Sequence, residues 1–285
     1  MSTASSLRTY HRIAELRRQL AQLRAEGKSV GFVPTMGALH EGHLSLVDRA
    51  RATSDIVVMS VFVNPLQFAP GEDYRRYPRD IRADTEMAEE RGVDLLFVPD
   101  VAEMYNGDRQ VTVTAGPIGD AWEGESRPGH FDGVLTVVAK LFNIVQPDRA
   151  IFGQKDLQQL AVVRAMTREL RYPIEIIVGP TVRDDDGLAL SSRNRYLKPA
   201  DRQAALALPR ALQTLRERFA SGEIRPAKLE AAGKKVIDDT EGVSLDYLAV
   251  VDAEAFQRVG VASHGCAAIA AARVGGTRLI DNLLF

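Results

Sequence analysis

Two histidines, His40 and His43, stand in a short segment whose residue types suit phosphate chemistry. The segment, Pro34–His43 (PTMGALHEGH), follows an apolar run, so we expect it at the carboxyl end of a strand, where open α/β sheets bind ligands. Gly42 lets the backbone approach a ligand closely. Backbone N–H groups at a helix start and imidazole groups both stabilise charge on phosphate. The chain has five histidines, so two in one segment favour a phosphate site over a loop with two surface histidines.

Amide side chains follow the next predicted buried strand. Asn64 and Gln67 come after the apolar run Asp55–Val63, near the same predicted sheet edge. An amide can donate to a carboxylate and accept from a hydroxyl, so the pair suits a hydroxy acid. The alternative is that Asn64-Pro65 only forms a turn, which fits Asn64 better than Gln67, a poor turn former.

A lysine and an aspartate follow the later short run Ala150–Gly153. The ammonium of Lys155 suits a phosphate as a point charge, and the carboxylate of Asp156 suits ribose hydroxyls. The alternative is an exposed pair that caps the next helix, and Asp156 could fill both roles.

Hydroxyls and a guanidinium occur in series at Ser191, Ser192 and Arg193, a set that matches departing pyrophosphate. The alternative is a polar loop. The set follows the hinge-like segment Gly179–Gly187 (GPTVRDDDG), from which a mobile domain could close over a nucleotide. The three consecutive aspartates of that segment are expected to be solvated and receive no role.

Buried strands alternate with helical patterns through the first two-thirds of the chain. The alternation predicts a Rossmann-like, doubly wound α/β domain with a mostly parallel sheet. The predicted strands are Ser29–Pro34, Asp55–Val63, Val93–Val98, Gln110–Ala115, Ala150–Gly153 and Ile174–Val178. The predicted helices are a first one through Leu7, Ile13, Leu16, Leu20 and Leu23 that stops at Gly27, then Leu44–Ala52, Ile81–Arg91, Val134–Val145 and Leu157–Leu170.

The pattern changes in the last third, which predicts a smaller α+β domain. The predicted order is two helices, Ala200–Ser221 and Pro226–Thr240, then three strands, Leu245–Val251, Ala267–Arg273 and Arg278–Leu283, the last two joined at Gly275-Gly276. We therefore divide the chain into domains at 1–181 and 182–285.

Composition excludes several classes of protein. Of 285 residues, 45% are hydrophobic and 26% charged, an ordinary globular mixture, and a net charge of −2 argues against a dedicated nucleic-acid binder. Cys266 is the only cysteine, so no internal disulfide can form, and its Ala-rich surroundings predict a small buried filler. No apolar stretch reaches the roughly 18–20 residues that span a bilayer, and the N-terminus lacks an apolar signal core, so we expect a cytoplasmic protein without a membrane partner.

Five segments together resemble the pantothenate synthetase family. They are PTMGALHEGH, Val61–Phe68 (VFVNPLQF), Arg127–Phe131 (RPGHF), Gly153–Gln159 (GQKDLQQ) and Ser191–Leu197 (SSRNRYL), and they occur in the family's order over essentially the whole chain. The first also resembles the HxGH signature of the nucleotidyltransferase superfamily, which indicates attack on an α-phosphate without fixing the substrate. The family resemblance implies ATP-dependent condensation of pantoate with β-alanine through a pantoyl adenylate, giving pantothenate, AMP and pyrophosphate.

The resemblance also implies roles for individual residues. The implied catalytic residues are His40, His43, Lys155 and Arg193. The implied ATP-binding residues are Met36, Gly37, His40, Gly42, His43, Gly153, Lys155, Asp156, Val182, Leu190, Ser191, Ser192 and Arg193. The implied residues for pantoate and β-alanine are Asn64, Gln67 and Gln159. Leu190 stands where many relatives carry Met, and it still supplies an apolar wall for adenine.

The resemblance further implies Mg²⁺, a homodimer and a division of labour between the domains. Asp84 is the carboxylate we predict to hold Mg²⁺, and a solvated helix face is the alternative for it. Residues 1–181 would bind ATP and pantoate, and residues 182–285 would form the lid. The roles of Arg127 and His130 stay open between substrate binding and support of the fold.

Three other functions fit the sequence less well. An adenylyltransferase for a phosphorylated acceptor, such as phosphopantetheine adenylyltransferase, needs a basic pocket, whereas VNPLQF offers amides. A catalytically inactive nucleotide-binding module is expected to have lost His43, Lys155 or Arg193, and all three are present. A tRNA synthetase is disfavoured because no basic surface or tRNA-binding appendage is evident.

Overall fold

The protein is described by a computed structural model that covers residues 7–107 and 109–285 and divides into two units. The first unit comprises the described part of Met1–Gln154 together with Val162–Pro180. The second comprises Lys155–Ala161 and Thr181–Phe285. The functional division into a binding domain at 1–181 and a lid at 182–285 stays a prediction.

Six strands form a sheet in the first unit: β1 (Arg8–Tyr10), β2 (Val30–Thr35), β3 (Ile56–Val61), β4 (Leu95–Phe97), β5 (Arg149–Gly153) and β6 (Glu175–Gly179). Their order is β1-β4-β3-β2-β5-β6, and every pair is parallel. Apart from the short polar strand β1, they come from largely apolar segments. The predicted α/β fold is confirmed.

Helices connect these strands. They are α1 (Ile13–Ala25), α2 (Glu41–Thr53), α3 (Ile81–Glu90), α4 (Val101–Met104), α5 (Glu123–Ser126), α6 (His130–Val145) and α7 (Leu157–Glu169). Short 3₁₀ helices lie at Pro65–Gln67, Asp73–Arg75, Gly116–Gly119 and Gln154–Asp156. α1 ends as predicted at Gly27, whose φ of +77° is the left-handed conformation that closes many helices.

The strand order reverses direction at β2, because the chain runs from β2 to β3 and β4 on one side and through β5 to β6 on the other. β2 and β5 are hydrogen-bonded neighbours, with Phe32 opposite Ala150. Their carboxyl ends, at Thr35 and Gly153, therefore flank the switch point at which open α/β sheets bind ligands. The loop after β2 carries His40, and Lys155 follows Gly153 by two residues in the sequence.

Two predictions for the first unit are wrong. Leu7 is not part of α1, because the segment after it forms β1, in which Arg8 N donates to Asp94 O (3.0 Å). The predicted strand Gln110–Ala115 is irregular, because its backbone is satisfied by side chains of α6. Val113 N donates to Thr136 Oγ1 (3.1 Å), and Ala115 N donates to Asp132 Oδ1 (2.9 Å).

The second unit is built on a three-stranded antiparallel sheet in the order β7-β8-β9. The strands are β7 (Val243–Asp252), β8 (Cys266–Val274) and β9 (Thr277–Leu284), and the helices are α8 (Pro199–Ala205), α9 (Ala207–Ala220) and α10 (Pro226–Asp238). Apolar side chains of α9 and α10 pack on this sheet in one core, which contains Leu212, Leu215, Leu229, Ile237 and Val250. Cys266 is a buried free cysteine in that core, as predicted.

Two features of the second unit bear on the sequence predictions. The Gly275-Gly276 turn between β8 and β9 is confirmed, and both residues have positive φ, +54° and +80°, which a two-residue hairpin of this kind needs. The single helix predicted over Ala200–Ser221 is two helices, because Leu206 N donates to Gln203 O in a tighter turn than an α-helix makes. Across the described ranges, every helix is too short or too polar to cross a membrane.

Candidate functional site

The loop after β2 has a tightly specified backbone. Gly37 and Ala38 both have positive φ, +80° and +51°, and the second is an unfavourable value for a residue with a Cβ. Thr35 Oγ1 donates to Ser60 O (2.7 Å) and accepts from Gly37 N (3.1 Å), which fixes the start of the loop to β3. A Cβ at Gly37 would lie 2.9 Å from Val61 Cγ1, so the position needs glycine for space as well as for φ.

The two histidines meet because they flank the first turn of α2. His40 is the N-cap, and its Nδ1 accepts from Gly42 N (3.1 Å). This contact requires Nδ1 to be unprotonated, so the neutral ring carries its proton on Nε2. His43 lies three residues on, on the same helix face, and the two ring centroids are 4.1 Å apart.

Asp84 reaches the same loop from the first turn of α3. Its carboxylate is buried, with 3% of the residue exposed. Oδ2 accepts from Ala38 N (3.0 Å) and Oδ1 accepts from Leu39 N (2.8 Å). The alternative of a solvated helix face is therefore wrong for Asp84.

The predicted substrate amides form a buried chain of hydrogen bonds. Asn64 and Gln67 are 1% and 8% exposed, and Asn64 Nδ2 donates to Gln67 Oε1 (3.1 Å). Gln67 Nε2 donates to Met36 Sδ (3.0 Å), which joins this chain to the histidine loop. Tyr105 OH donates to Asn64 Oδ1 (2.8 Å), and burial raises the pKa of this phenol, so it stays protonated. The predicted turn role of Asn64 is also fulfilled, because its Oδ1 accepts from Leu66 N.

A second network holds the backbone of Gln67. Its carbonyl accepts from Arg127 Nη2 (3.2 Å) and lies 2.8 Å from His130 Nδ1. Arg127 also donates to both carboxylate oxygens of Glu72, at 2.7 and 2.8 Å, a bidentate geometry that fixes the guanidinium. Burial opposes ionisation of Glu72, yet the Arg127 hydrogen bonds and charge prevail and lower its pKa. Arg127 and His130 thus support the loop that carries Gln67, which is one of the two roles left open by the sequence.

His130 is held neutral within this network. Burial first, and then the charge of Arg127, lower its pKa from 6.5 to about 4. Its Nε2 lies 3.0 Å from Arg127 Nη1, which can only donate, so Nε2 is the acceptor and Nδ1 carries the proton toward Gln67 O.

Acidification from pH 7 to pH 5 is expected to destabilise the folded protein through His130. Between pH about 6.5 and about 4 the unfolded chain binds a proton that the folded chain does not, so stability falls as the pH drops through this window. For one such group the loss at pH 5 is roughly 2 kcal/mol. Urea unfolding of wild type and His130→Gln at both pH values measures it, with the exposed histidine variant His11→Gln as control. An equal pH-dependence in wild type and His130→Gln would refute the assignment.

The remaining predicted ATP residues are Gly153, at the end of β5 in the first unit, and several residues of the second unit. Gly153 ends β5, and Lys155 and Asp156 occupy the 3₁₀ turn that precedes α7. The backbone of Lys155 is anchored, since its carbonyl accepts from Asn282 Nδ2 (2.8 Å). Gln159 lies half-buried in the first turn of α7.

The predicted segment 182–193 is a folded turn followed by a 3₁₀ helix, Ser192–Tyr196. Leu190 N donates to Val182 O (3.0 Å), so these two residues are backbone neighbours. Ser191 Oγ caps the 3₁₀ helix by accepting from Arg193 N (3.3 Å), and Ser192 and Arg193 are half-buried. The side-chain oxygen of Ser191 therefore has a structural contact as well as its predicted ligand role.

The acidic turn in this segment is not simply solvated, as the sequence led us to expect. Arg202 donates to Asp184 (2.6 Å) and to both carboxylate oxygens of Asp186 (2.9 and 3.0 Å). Arg183 donates to the two oxygens of buried Asp281 on β9 (2.7 and 2.9 Å). These ion pairs tie the turn to the second unit's helices and sheet.

Sequence reasoning missed three contacts of the predicted site. Tyr105 bonds to Asn64, Glu72 holds Arg127, and Asp84 holds the loop backbone, although Asp84 was named for another role. Each contact spans 40 or more residues of sequence, and Tyr105 and Glu72 stand outside any recognisable motif. These contacts become visible only in the folded structure, which brings the distant residues together.

Comparison with known proteins identifies the family. A family model described as pantoate-beta-alanine ligase matches residues 8–284. A pantothenate synthetase from Acidothermus cellulolyticus is 55% identical over 277 residues, covering 95% of this chain and 89% of that protein. The crystal structure of pantothenate synthetase from Thermus thermophilus superposes with a TM-score of 0.92 at 51% identity, covering 97% of this chain and 99% of that one.

A third relative was crystallised with ligands. The pantoate-beta-alanine ligase from Francisella tularensis, complexed with beta-gamma ATP and beta-alanine, gives a TM-score of 0.80 at 33% identity and covers 98% of each chain.

The parallel sheet with its switch point, together with these matches, defines an α/β enzyme of the ligase class. The chain belongs to the pantoate-beta-alanine ligase family. The match runs through both units, so the alternatives of an adenylyltransferase for a phosphorylated acceptor and of a tRNA synthetase are rejected.

Proposed function

We propose that the protein condenses (R)-pantoate with β-alanine at the expense of ATP, giving pantothenate, AMP and pyrophosphate through a pantoyl adenylate. The observation that carries the proposal is the match to the pantoate-beta-alanine ligase family over residues 8–284. The loop after β2, at the switch point of the sheet, supports it as the place where the α-phosphate is attacked.

In the first step a pantoate carboxylate oxygen attacks the α-phosphorus of ATP, and the bond to pyrophosphate breaks. His43, beside the neutral His40 at the start of α2, would stabilise the charge that builds on the phosphate oxygens. The cations Lys155 and Arg193 would take the charge of the departing pyrophosphate, with the hydroxyls of Ser191 and Ser192. Positioning and charge stabilisation supply most of the rate enhancement in such a transfer.

In the second step the amine of β-alanine attacks the acyl carbon, and AMP leaves with the oxygen that had joined carbon to phosphorus. Adenylation replaces a very poor leaving group, oxide, by AMP, so one difficult amide synthesis becomes two easier steps. The chain's task in this step is to hold the acyl carbon and the amine at reacting distance.

Pantoate would be held by Gln67 and Gln159. Asn64, which hydrogen-bonds Gln67, would help to bind pantoate or β-alanine. The rigid Tyr105–Asn64–Gln67 chain supports this role, because a preorganised amide loses little freedom when it binds a hydroxyl and a carboxylate. The nucleotide would lie along the remaining predicted ATP residues, Met36, Gly37, Gly42, Gly153, Asp156, Val182 and Leu190. A methyl group added at Gly153 would meet no atom of the described residues within 4 Å, which leaves room for a ligand there.

The family resemblance also supports Mg²⁺ bound with the ATP phosphates, a homodimer and a cytoplasmic location, and we include these in the proposal. The site predicted for Mg²⁺ does not fit a hydrated ion well, since Asp84 is 3% exposed and both its carboxylate oxygens face the backbone of the loop. We therefore route no step through the metal.

Product analysis tests the proposal. The protein is incubated with ATP, Mg²⁺ and pantoate, with and without β-alanine, and the products are identified by mass. We expect pyrophosphate and pantoyl adenylate without β-alanine, and AMP and pantothenate only when it is added. Formation of ADP and phosphate, or no dependence on pantoate, would contradict the proposal.

Gln67→Ala is expected to weaken pantoate binding roughly 10-fold or more while ATP affinity stays within about twofold. Each lost hydrogen bond in a partly closed site costs about 1–3 kcal/mol. The variant also removes one of the acceptors of Asn64 Nδ2, so we expect a lower melting temperature as well. Calorimetric titration of each ligand separates the two effects. Equal weakening of ATP and pantoate binding would show that Gln67 only supports the fold.

A further inference from the structure

Asp84 connects α3 to the loop before α2, and the proposed chemistry depends on the position of that loop. It stands in the first turn of α3, and its buried carboxylate accepts from the backbone N–H groups of Ala38 and Leu39, at 3.0 and 2.8 Å. These N–H groups lie directly before His40, the N-cap of α2. The carboxylate therefore holds the turn from which the histidine helix starts.

The loop has a conformation that needs such a contact. The positive φ of Ala38 is unfavourable for a residue with a side chain, and it persists only where surrounding contacts fix it. Two backbone N–H groups that converge on one carboxylate provide that constraint, because hydrogen bonds to a charged acceptor are about twice as strong as neutral ones. The contact also requires glycine at position 37, since a Cβ there would lie 2.7 Å from Asp84 Oδ2 and would clash with the carboxylate.

Magnesium binding would require Asp84 to serve a second, competing task. Mg²⁺ demands near-octahedral geometry, and in nucleotide sites it usually keeps several waters. Asp84 is 3% exposed and faces the backbone of the loop with both oxygens. The carboxylate is oriented for the loop and buried away from a hydrated ion.

We propose that Asp84 is a positioning residue for adenylation: it fixes the backbone at residues 38–39 and thereby the placement of His40 and His43. The inference rests on the proposed function of the histidine loop. On this account, Asp84 raises kcat by positioning the two histidines, and it does not bind the metal.

Asp84→Asn tests the proposal, because it keeps the size of the side chain and replaces one acceptor oxygen by a donor that faces a backbone N–H. We expect kcat for pantoate-dependent pyrophosphate release to fall roughly 10-fold or more. The KM for pantoate and the Mg²⁺ concentration that gives half-maximal rate should stay within about twofold.

Asp80→Ala is the matched control. Asp80 is the N-cap of the same helix, and its Oδ1 accepts from Ala83 N (3.1 Å), so this variant weakens α3 without touching the loop. We expect a lower melting temperature and a kcat within about twofold of wild type. A loss of kcat in Asp80→Ala as large as in Asp84→Asn would reduce the role of Asp84 to helix stability.

Two further results would overturn the proposal. An unchanged kcat in folded Asp84→Asn would remove Asp84 from the mechanism. A rate that is restored by high Mg²⁺ would assign the carboxylate to the metal instead. Failure of the proposed function is recognised separately, because wild-type protein would then release no pyrophosphate in response to pantoate.

Discussion

His43→Ala is expected to slow pantoate-dependent release of pyrophosphate about 10²–10³-fold, the usual effect of removing one group that stabilises transition-state charge. The imidazole stands in the first turn of α2, with its ring centroid 4.1 Å from that of His40. Neutral His40 is committed to the helix cap through Nδ1, so His43 is the histidine whose main task would be the phosphate. Rapid-quench measurement of pyrophosphate in the absence of β-alanine isolates this step.

The control for this variant is His264→Ala, which removes a histidine of the second unit that packs edge-on against Phe219. It should leave the adenylation rate within about twofold of wild type. Because the cap contact of α2 belongs to His40, His43→Ala should keep a near-normal melting temperature. Near-normal pyrophosphate release by the folded variant would exclude His43 from the chemistry.

Lys155→Ala is expected to impair adenylate formation by a similar factor, about 10²-fold, and to leave the use of preformed adenylate nearly unchanged. The ammonium would contact the β- and γ-phosphates of ATP, which leave as pyrophosphate when the adenylate forms. The backbone of Lys155 is fixed by Asn282, so loss of the side chain should not disturb the turn.

Supplying synthetic pantoyl adenylate with β-alanine tests the distinction, and the exposed Lys198→Ala serves as a charge-matched control. If Lys155→Ala were equally slow in both half-reactions, its role would extend beyond the phosphates of ATP, and the assignment would have to change.

The parts that the sequence predicted are those set by local pattern. Buried strands such as β2 and β3 appear as apolar runs, and the histidine segment opens a helix as its sequence predicts. The Gly275-Gly276 hairpin follows from the conformational freedom of glycine. These features depend on residues within a few positions of one another, so they can be predicted from the sequence alone.

The parts that it did not predict depend on distant partners. Alternation made Gln110–Ala115 look like a strand, but α6 supplies its hydrogen-bond partners from Thr136 and Asp132. Tyr105 reaches Asn64 across 41 residues, and no local pattern encodes that contact. The sequence predicts that Asp84 holds Mg²⁺, whereas in the structure its carboxylate accepts hydrogen bonds from the backbone of the loop after β2. Long-range pairing is fixed by the folded topology, which is why these contacts emerged only with the structure.

Transfer of isotope from pantoate to AMP tests the central claim most directly. Pantoate labelled with ¹⁸O in both carboxylate oxygens is converted with ATP and β-alanine, and the AMP is analysed by mass spectrometry. Attack of the carboxylate on the α-phosphorus, followed by cleavage of the acyl carbon–oxygen bond, leaves one ¹⁸O in AMP and one in the amide of pantothenate. Unlabelled AMP, or label found in inorganic phosphate beside ADP, would contradict the pantoyl-adenylate mechanism.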